Sequence, residues 1–363
     1  MDIQSLAQLS FWLTSLIVCL LGLAVGSFVN VVIYRVPREM SIVAPRSHCP
    51  SCGTPIRPRD NIPLLSFLWL KAKCRACGAR IPLRYPVVEL ILCLLFWILW
   101  RVEGMSWLLL FDWAFVSAMV ALAVIDLEHR LLPDRITYPG FVLAVGIRGL
   151  LPQEAALPWA SLSGSHALWI GAGLIASSGF IMLAIEWLDY YLIGRRTEDE
   201  EEPSVPSEAS STYGRHLGLV TLIMGIALAG IFLLVISRLP YPGNTNVQSH
   251  VMSVLGSLAS AAVGAGIIWG LRLAYFAVRK LEGAGFGDVK MMMMVGAYLG
   301  WARSFLTLLL ASVLGSMIGL VAIIRHRNRY VAIPYGIFIA VAAITSLLIG
   351  MPLVRWYWGI YQP

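Results

Sequence analysis

The sequence predicts an all-α polytopic membrane protein, a bundle of about 8–10 transmembrane helices with a small cytoplasmic zinc-binding insert. Two observations lead to this fold class. Of the 363 residues, 58% are hydrophobic and only 13% are charged, which excludes an ordinary soluble domain. Apolar stretches of membrane-spanning length also recur from one end of the chain to the other.

Eight apolar stretches are long enough to cross a bilayer as helices. They are residues 11–34, 86–103, 105–125, 166–190, 217–238, 253–278, 303–325 and 332–351. Two shorter stretches, 136–151 and 289–301, would span only if they were tilted or continued by their flanks. The first stretch has no basic segment before it and is longer than a signal peptide's apolar region, so we expect a retained helix.

The basic residues predict the orientation in the membrane. The segment from Arg35 to Arg84 holds ten of the 27 Lys and Arg residues, which places it in the cytoplasm and the N-terminus outside. Counting ten spans from there also puts the basic turns 126–135, 191–216, 279–288 and 325–331 inside, whereas loops 152–165 and 239–252 carry almost no cations. The net charge of +7 is therefore a topology signal, and no nucleic-acid partner is expected.

Three parts are predicted along the chain. Residues 1–34 form an N-terminal transmembrane helix, residues 35–85 a polar cytoplasmic insert, and residues 86–363 the main membrane bundle. The bundle is interrupted at 195–214 by an acidic, Ser/Pro-rich stretch, which predicts a disordered loop because its like charges repel and it has little to bury. A partner-docking or cation-binding role is the alternative for this loop.

Four cysteines in the insert form two Cys-x-x-Cys pairs, separated by 21 residues and each followed by glycine, which predicts a structural zinc site. The ligands would be Cys49, Cys52, Cys74 and Cys77, and the glycine after each pair would permit a tight turn. Two disulfides or a redox pair are the alternatives, which a cytoplasmic location disfavours. Zinc would hold together a loop of low apolar content.

Asp126 and Asp288 stand at the ends of apolar segments and are the candidate catalytic residues. A carboxylate at a membrane helix end is costly, so its default interpretation is functional. Two carboxylates that lie close together share a proton, so one can activate a water while the other protonates the departing nitrogen of a peptide bond. An ion pair, or a proton relay in a transporter, is the competing interpretation.

Neighbouring residues are predicted to support these aspartates. Gly285 and Gly287 precede the second one and would let a peptide backbone approach closely and the chain turn. Asp134 directly follows a proline and fits the N-cap of the next helix. Lys290 would either pair with an acid or reach towards the surface.

Taken in order along the chain, these residues resemble the type IV prepilin peptidases, a bacterial family of membrane aspartic proteases with a Gly-x-Gly-Asp motif. The resemblance covers most of the chain. The matching motifs are Gly26-Ser27-Phe28-Val29-Asn30 with Arg35 and Pro37, the two cysteine pairs, Arg84-Tyr85-Pro86 with Glu89, Ile125-Asp126 through Leu132-Pro133-Asp134, and Gly285 through Lys290.

The resemblance implies a multi-pass enzyme of the bacterial inner membrane that removes the basic leader of type IV prepilins or type II secretion pseudopilins. Cleavage would take place at the cytoplasmic face, with Asp126 and Asp288 as the catalytic pair. The resemblance also implies S-adenosylmethionine-dependent N-methylation of the new N-terminus, associated with the N-terminal half. A proton-coupled transporter with a zinc-stabilised cap, or a non-enzymatic assembly factor, would be the competing class.

Three residues of the N-terminal half are candidates for a methyl-donor pocket: Gly26, Asn30 and Glu89. Gly22 and Gly26 are four residues apart, which favours close helix packing as their role. Asn30 and Glu89 are polar groups in apolar helices, and they would either line the pocket or hydrogen-bond neighbouring helices. Arg84 is a candidate ion-pair partner for Glu89.

Overall fold

The computed structural model describes residues 3–151, 245–279, 285–326 and 334–360. The predicted spans 166–190 and 217–238 and the acidic stretch 195–214 lie outside these residues. Within the described ranges the regular structure is helical, and no strand forms. The extended pairing found there consists of two isolated bridges, His48 with Pro55 and Lys73 with Arg80.

Nine α-helices follow one another through the described ranges. They are α1 (Ile3–Arg35), α2 (Leu65–Trp69), α3 (Arg84–Glu103), α4 (Trp107–His129), α5 (Asp134–Leu150), α6 (Thr245–Arg279), α7 (Phe286–Leu299), α8 (Trp301–His326) and α9 (Gly336–Ile360). Five of these, α1, α3, α4, α6 and α8, contain segments long and apolar enough to cross a membrane. The predicted fold class, an all-α multi-pass membrane protein, is confirmed.

The chain divides into two compact units, Met1–Leu131 and Leu132–Pro363. In the first unit α1 packs along α3 at two glycines. A Cβ on Gly22 would lie 2.7 Å from the Cα of Cys93, and one on Gly26 would lie 2.6 Å from the Cα of Glu89. Neither position has room for a side chain, and this is the close helix packing that their spacing predicts.

The second unit is built around α7. This helix packs against α5, α6, α8 and α9, and its residues from Asp288 to Leu299 are all buried. The four consecutive methionines, Met291–Met294, are buried in this unit, where their flexible side chains fill the core. Helix α8 instead exposes a series of large apolar side chains, including Phe305 and Leu309, as expected of a helix in contact with lipid.

Two helix ends lie close in sequence to the candidate aspartate Asp126. Helix α4 continues to His129, so it ends within one turn of Asp126. Helix α5 begins at Asp134, and Pro133, in an extended conformation, occupies the N-cap position. The predicted N-cap role of Asp134 is therefore wrong, because Asp134 is the first residue of the helix itself. Its carboxylate accepts hydrogen bonds from Lys290 of α7.

Candidate active site and metal centre

The insert brings the four predicted cysteine ligands together. The Sγ atoms of Cys49, Cys52, Cys74 and Cys77 all lie within 4.8 Å of one another. Those of Cys49 and Cys77 are 3.9 Å apart. Two sulfurs of a tetrahedral zinc shell are about 3.8 Å apart, given a Zn–S bond of about 2.3 Å. All six cysteines of the chain lie in the described part and are free, so the structure contains no disulfide alternative.

Each cysteine pair is held by the same local turn. In the first turn the Gly53 N–H donates to the Cys49 carbonyl at 2.8 Å, and in the second the Gly78 N–H donates to the Cys74 carbonyl at 2.9 Å. Both glycines have φ near +70°, a conformation that L residues rarely adopt. The Cys-x-x-Cys-Gly pattern therefore codes directly for two matching knuckles.

The surroundings favour the thiolate form that binds metal at Cys52 and Cys74, whereas they oppose it at Cys77. Hydrogen bonds to the side chain and backbone of Thr54 lower the pKa of Cys52 to about 6. Backbone hydrogen bonds of Cys77 and Ala76 lower the pKa of Cys74. Although the backbone of Ala79 has the opposite effect, hydrogen bonds with the neighbouring thiols raise the pKa of Cys77 to about 11. A donor set of four soft sulfur atoms at this spacing fits zinc. Four protein ligands fill the tetrahedral shell, so no coordination position is left for a catalytic water.

Asp126 is buried in the last turn of α4, with 6% of its surface exposed. The helix stops shortly beyond it because Arg130 takes a left-handed conformation and donates its N–H to the Asp126 carbonyl at 2.9 Å. A buried carboxylate in a membrane helix is costly, and its catalytic role stays a prediction.

Asp288 occupies the first turn of α7 and is 7% exposed. Its backbone N–H donates to the Gly285 carbonyl at 3.2 Å, which closes the turn. A Cβ on Gly287 would lie 2.8 Å from the Cβ of Leu132, so only glycine allows this approach. At Gly285 the nearest atom to such a Cβ is 3.8 Å away, so local packing does not explain that glycine.

Lys290 follows Asp288 by two residues in α7, and it pairs with Asp134. Its Nζ donates to the two carboxylate oxygens at 2.9 and 3.0 Å. The same Nζ lies 5.0 Å from the ring centre of Tyr138 and 4.9 Å from that of Phe286. Of the two roles left open by the sequence, the structure shows pairing with an acid.

The candidate aspartates belong to different compact units: Asp126 to the first and Asp288 to the second. Each is buried near an end of its own helix, at the positions where apolar sequence changes to polar sequence. The structure thus brings the four cysteines together, and it brings Lys290 and Asp134 together. The pairing of the two aspartates remains a prediction.

The polar residues of the N-terminal half make specific contacts. The Asn30 amide nitrogen donates to the carbonyls of Gly26 at 3.2 Å and Tyr85 at 3.0 Å, bridging α1 and α3. The Glu89 Oε2 accepts the Leu64 N–H at 2.8 Å, which ties the start of α2 to α3. Arg84 pairs with Glu128 of α4, so the candidate pairing of Arg84 with Glu89 is wrong.

A cavity of about 570 Å³ opens between the insert and the adjoining ends of α1 and α3. Aromatic rings and charged groups line it, including Tyr34, Phe67, Tyr85, Arg38, Arg84 and Glu89. The sequence singled out Glu89 but did not predict that the aromatic residues converge on this cavity, because nothing in their local sequence shows it. The volume suits a small organic ligand.

Buried carboxylates in apolar helices, together with a four-cysteine insert, mark a helical membrane protein with a candidate site for acid–base chemistry. The model of the bacterial peptidase A24 N-terminal domain matches residues 20–102, and that of the type IV leader peptidase family matches residues 113–194 and 217–320. The chain belongs to the type IV leader peptidase family. It is therefore a peptidase, and both Asp126 and Asp288 fall within the matched peptidase segments.

Curated relatives with one shared name match this chain, several of them over most of its length. A protein of Aeromonas salmonicida (strain A449), named prepilin leader peptidase/N-methyltransferase, is 27% identical over 95% of this chain and 94% of its own length. A Pseudomonas aeruginosa protein of the same name is 29% identical over 93% and 91%. One from Myxococcus xanthus (strain DK1622) is 49% identical over 37% of this chain and 40% of its own. No solved structure gives a significant match.

Proposed function

We propose that this peptidase removes the basic leader from type IV prepilins or type II secretion pseudopilins at the cytoplasmic face of the bacterial inner membrane. The observation that carries the proposal is the pair of buried carboxylates, Asp126 and Asp288, within the segments that match the peptidase family. The cytoplasmic face is supported by the ten Lys and Arg residues in the segment 35–84.

In the proposed mechanism the two aspartates act as a coupled acid–base pair. One carboxylate takes a proton from a water, whose oxygen attacks the carbonyl carbon of the scissile peptide. The other, protonated, gives its proton to the departing nitrogen, so that the bond breaks without releasing an amide anion. No covalent enzyme intermediate forms. A low-dielectric site favours one shared proton over two adjacent negative charges.

The test is cleavage of a prepilin by the purified protein in detergent. Mass spectrometry should show one cut between the basic leader and the apolar helix of the substrate. A matched prepilin without the basic leader residues should be cut more slowly. An intact prepilin after incubation with folded protein would contradict the proposal and favour the transporter alternative.

We further propose that the protein N-methylates the new N-terminus and that S-adenosylmethionine occupies the cavity beside Glu89. The name shared by the relatives supports the activity. Tyr34, Phe67 and Tyr85 offer ring faces for the adenine, and the Glu89 carboxylate offers acceptors for hydroxyl or ammonium groups. Bound there, the donor would supply the methyl group. Gly26 supports the cavity by letting α1 approach Glu89 closely, and Asn30 by joining α1 to α3.

Glu89→Gln is expected to raise the KM for S-adenosylmethionine about tenfold, because a neutral amide replaces the charged acceptor. Glutamine keeps an oxygen for the Leu64 N–H, so the fold of this region is preserved. The measurement is transfer of radioactive methyl groups to a pre-cleaved pilin peptide. Glu103→Gln, at the exposed end of the same helix, is the matched control. Equal KM values for the two variants would exclude Glu89 from the donor site.

Metal binding by the four cysteines is the third part of the proposal. A structural zinc would fix the two knuckles against each other and thereby shape the cavity that Cys49 and Cys74 also line. Zinc takes no part in peptide cleavage in this account.

A further inference from the structure

We propose that Lys290 and Asp134 form a positioning pair, which holds the turn carrying Asp288 in its working geometry. The inference rests on the proposed peptidase function. Both residues lie in the second compact unit, and neither is assigned to the acid–base chemistry.

Burying the ammonium group of Lys290 costs desolvation free energy. The Lys290 side chain is only 9% exposed, and its ammonium is bound by a carboxylate that is itself 32% exposed. The rings of Tyr138 and Phe286 lie near the same ammonium. Burial of such a pair adds little net stability, because desolvation offsets the attraction. What the pair supplies is a fixed geometry.

The Lys290–Asp134 pair joins two helices at the turn that carries Asp288. Lys290 belongs to the beginning of α7 and Asp134 is the first residue of α5, so their contact ties two helix N-termini together. A separate contact, Gly287 against Leu132, joins the same two segments. These contacts stand on either side of Asp288 in the sequence. The turn bearing the proposed catalytic carboxylate is thus docked at residues 287 and 290.

A third element restrains the same turn. The guanidinium carbon of Arg272, on α6, lies 5.8 Å from the ring centre of Phe286. The Phe286 ring therefore has Arg272 and Lys290 as cationic neighbours, and it connects the lysine to a second helix. Removal of Lys290 would break the ion pair with α5, leave the contact of Gly287 with the segment before α5 in place, and weaken the hold of the turn on α6. An error of about 1 Å in the position of a catalytic group can lower the rate about a hundredfold.

The test is steady-state cleavage of a prepilin by Lys290→Met, Asp134→Asn and the double variant. We expect Lys290→Met to lower kcat about a hundredfold with KM changed less than about threefold, because positioning acts on the transition state. Since the two residues act as one unit, the double variant should be no slower than Lys290→Met. Lys290→Arg, which keeps the cation, should regain at least about tenfold in kcat over Lys290→Met.

Arg303→Met is the matched control, because it also removes a cation from the second unit. Arg303 donates to the Leu299 carbonyl, at the opposite end of α7 from Asp288. Its kcat should stay within about threefold of wild type. Thermal unfolding of each variant separates lost positioning from lost folding. If Lys290→Met does not fold, Asp134→Asn decides alone, and its kcat should fall at least about tenfold.

Three results would overturn the inference while wild type remains active. The first is a kcat of Lys290→Met within about threefold of wild type. The second is a fall in kcat/KM that comes from a higher KM and not from a lower kcat. The third is a double variant whose loss of kcat equals the product of the losses in the two single variants. If Lys290→Met does not fold, an Asp134→Asn kcat close to wild type would overturn it. An inactive, folded wild type would instead refute the proposed function itself.

Discussion

Replacing either Asp126 or Asp288 with asparagine is expected to lower leader cleavage by about a thousandfold or more. Asparagine has nearly the same shape as aspartate, so each variant removes the titratable group and little else. Because the two carboxylates are proposed to act as one acid–base unit, the double variant should be no slower than the worse single variant. Initial rates of leader removal, with quenched samples resolved by mass, provide the measurement.

Asp112→Asn is the matched control for this series. Asp112 is also a buried carboxylate of α4, but it lies more than three turns before Asp126. Its cleavage rate should remain within about tenfold of wild type, and all variants should unfold at similar temperatures. Losses that multiply in the Asp126→Asn/Asp288→Asn double variant would show that the two residues act independently.

Replacing Cys49 and Cys52 with serine is expected to remove bound zinc from the protein and to destabilise the insert. Wild type should carry about one zinc per chain, because four sulfur ligands complete a structural site. Two remaining thiolates cannot fill the coordination shell, so the metal content should fall close to zero. The insert has few other means of holding its two knuckles together. Elemental analysis measures the metal, and limited proteolysis within residues 36–83 measures the folding of the insert.

Cys19→Ser/Cys93→Ser is the matched control for the metal site, since it also removes two thiols, from α1 and α3, outside the cysteine cluster. Its zinc content should equal that of wild type. Equal zinc in the Cys49→Ser/Cys52→Ser protein would contradict the four-thiolate site. Zinc loss with an unchanged proteolysis pattern would instead show that the insert folds without metal.

The features that the sequence predicted well depend on local patterns. The two knuckles were predictable because spacing and the following glycine determine each turn within about five residues. The close packing at Gly22 and Gly26 was predictable because residues four apart share one helix face. The spans of α1, α3, α4, α6 and α8 were evident from their length and apolar composition.

The features that the sequence did not predict depend on contacts between distant segments. Lys290 and Asp134 pair although they are 156 positions apart, and no local motif at either residue predicts the other as its partner. For the same reason, Asp134 had the sequence features of an N-cap although its carboxylate binds a lysine of another helix. Arg84 was a candidate partner for the nearby Glu89, but Glu89 accepts from the Leu64 N–H and Arg84 pairs with Glu128.

The central claim, a leader peptidase that depends on the carboxylate of Asp288, is tested most directly by one comparison. Wild type and Asp288→Asn, purified in the same detergent, are incubated with one prepilin that carries a basic leader. We expect a single cut by wild type and, in Asp288→Asn, a rate lower by about a thousandfold or more. Equal rates of leader removal by the two proteins would contradict it.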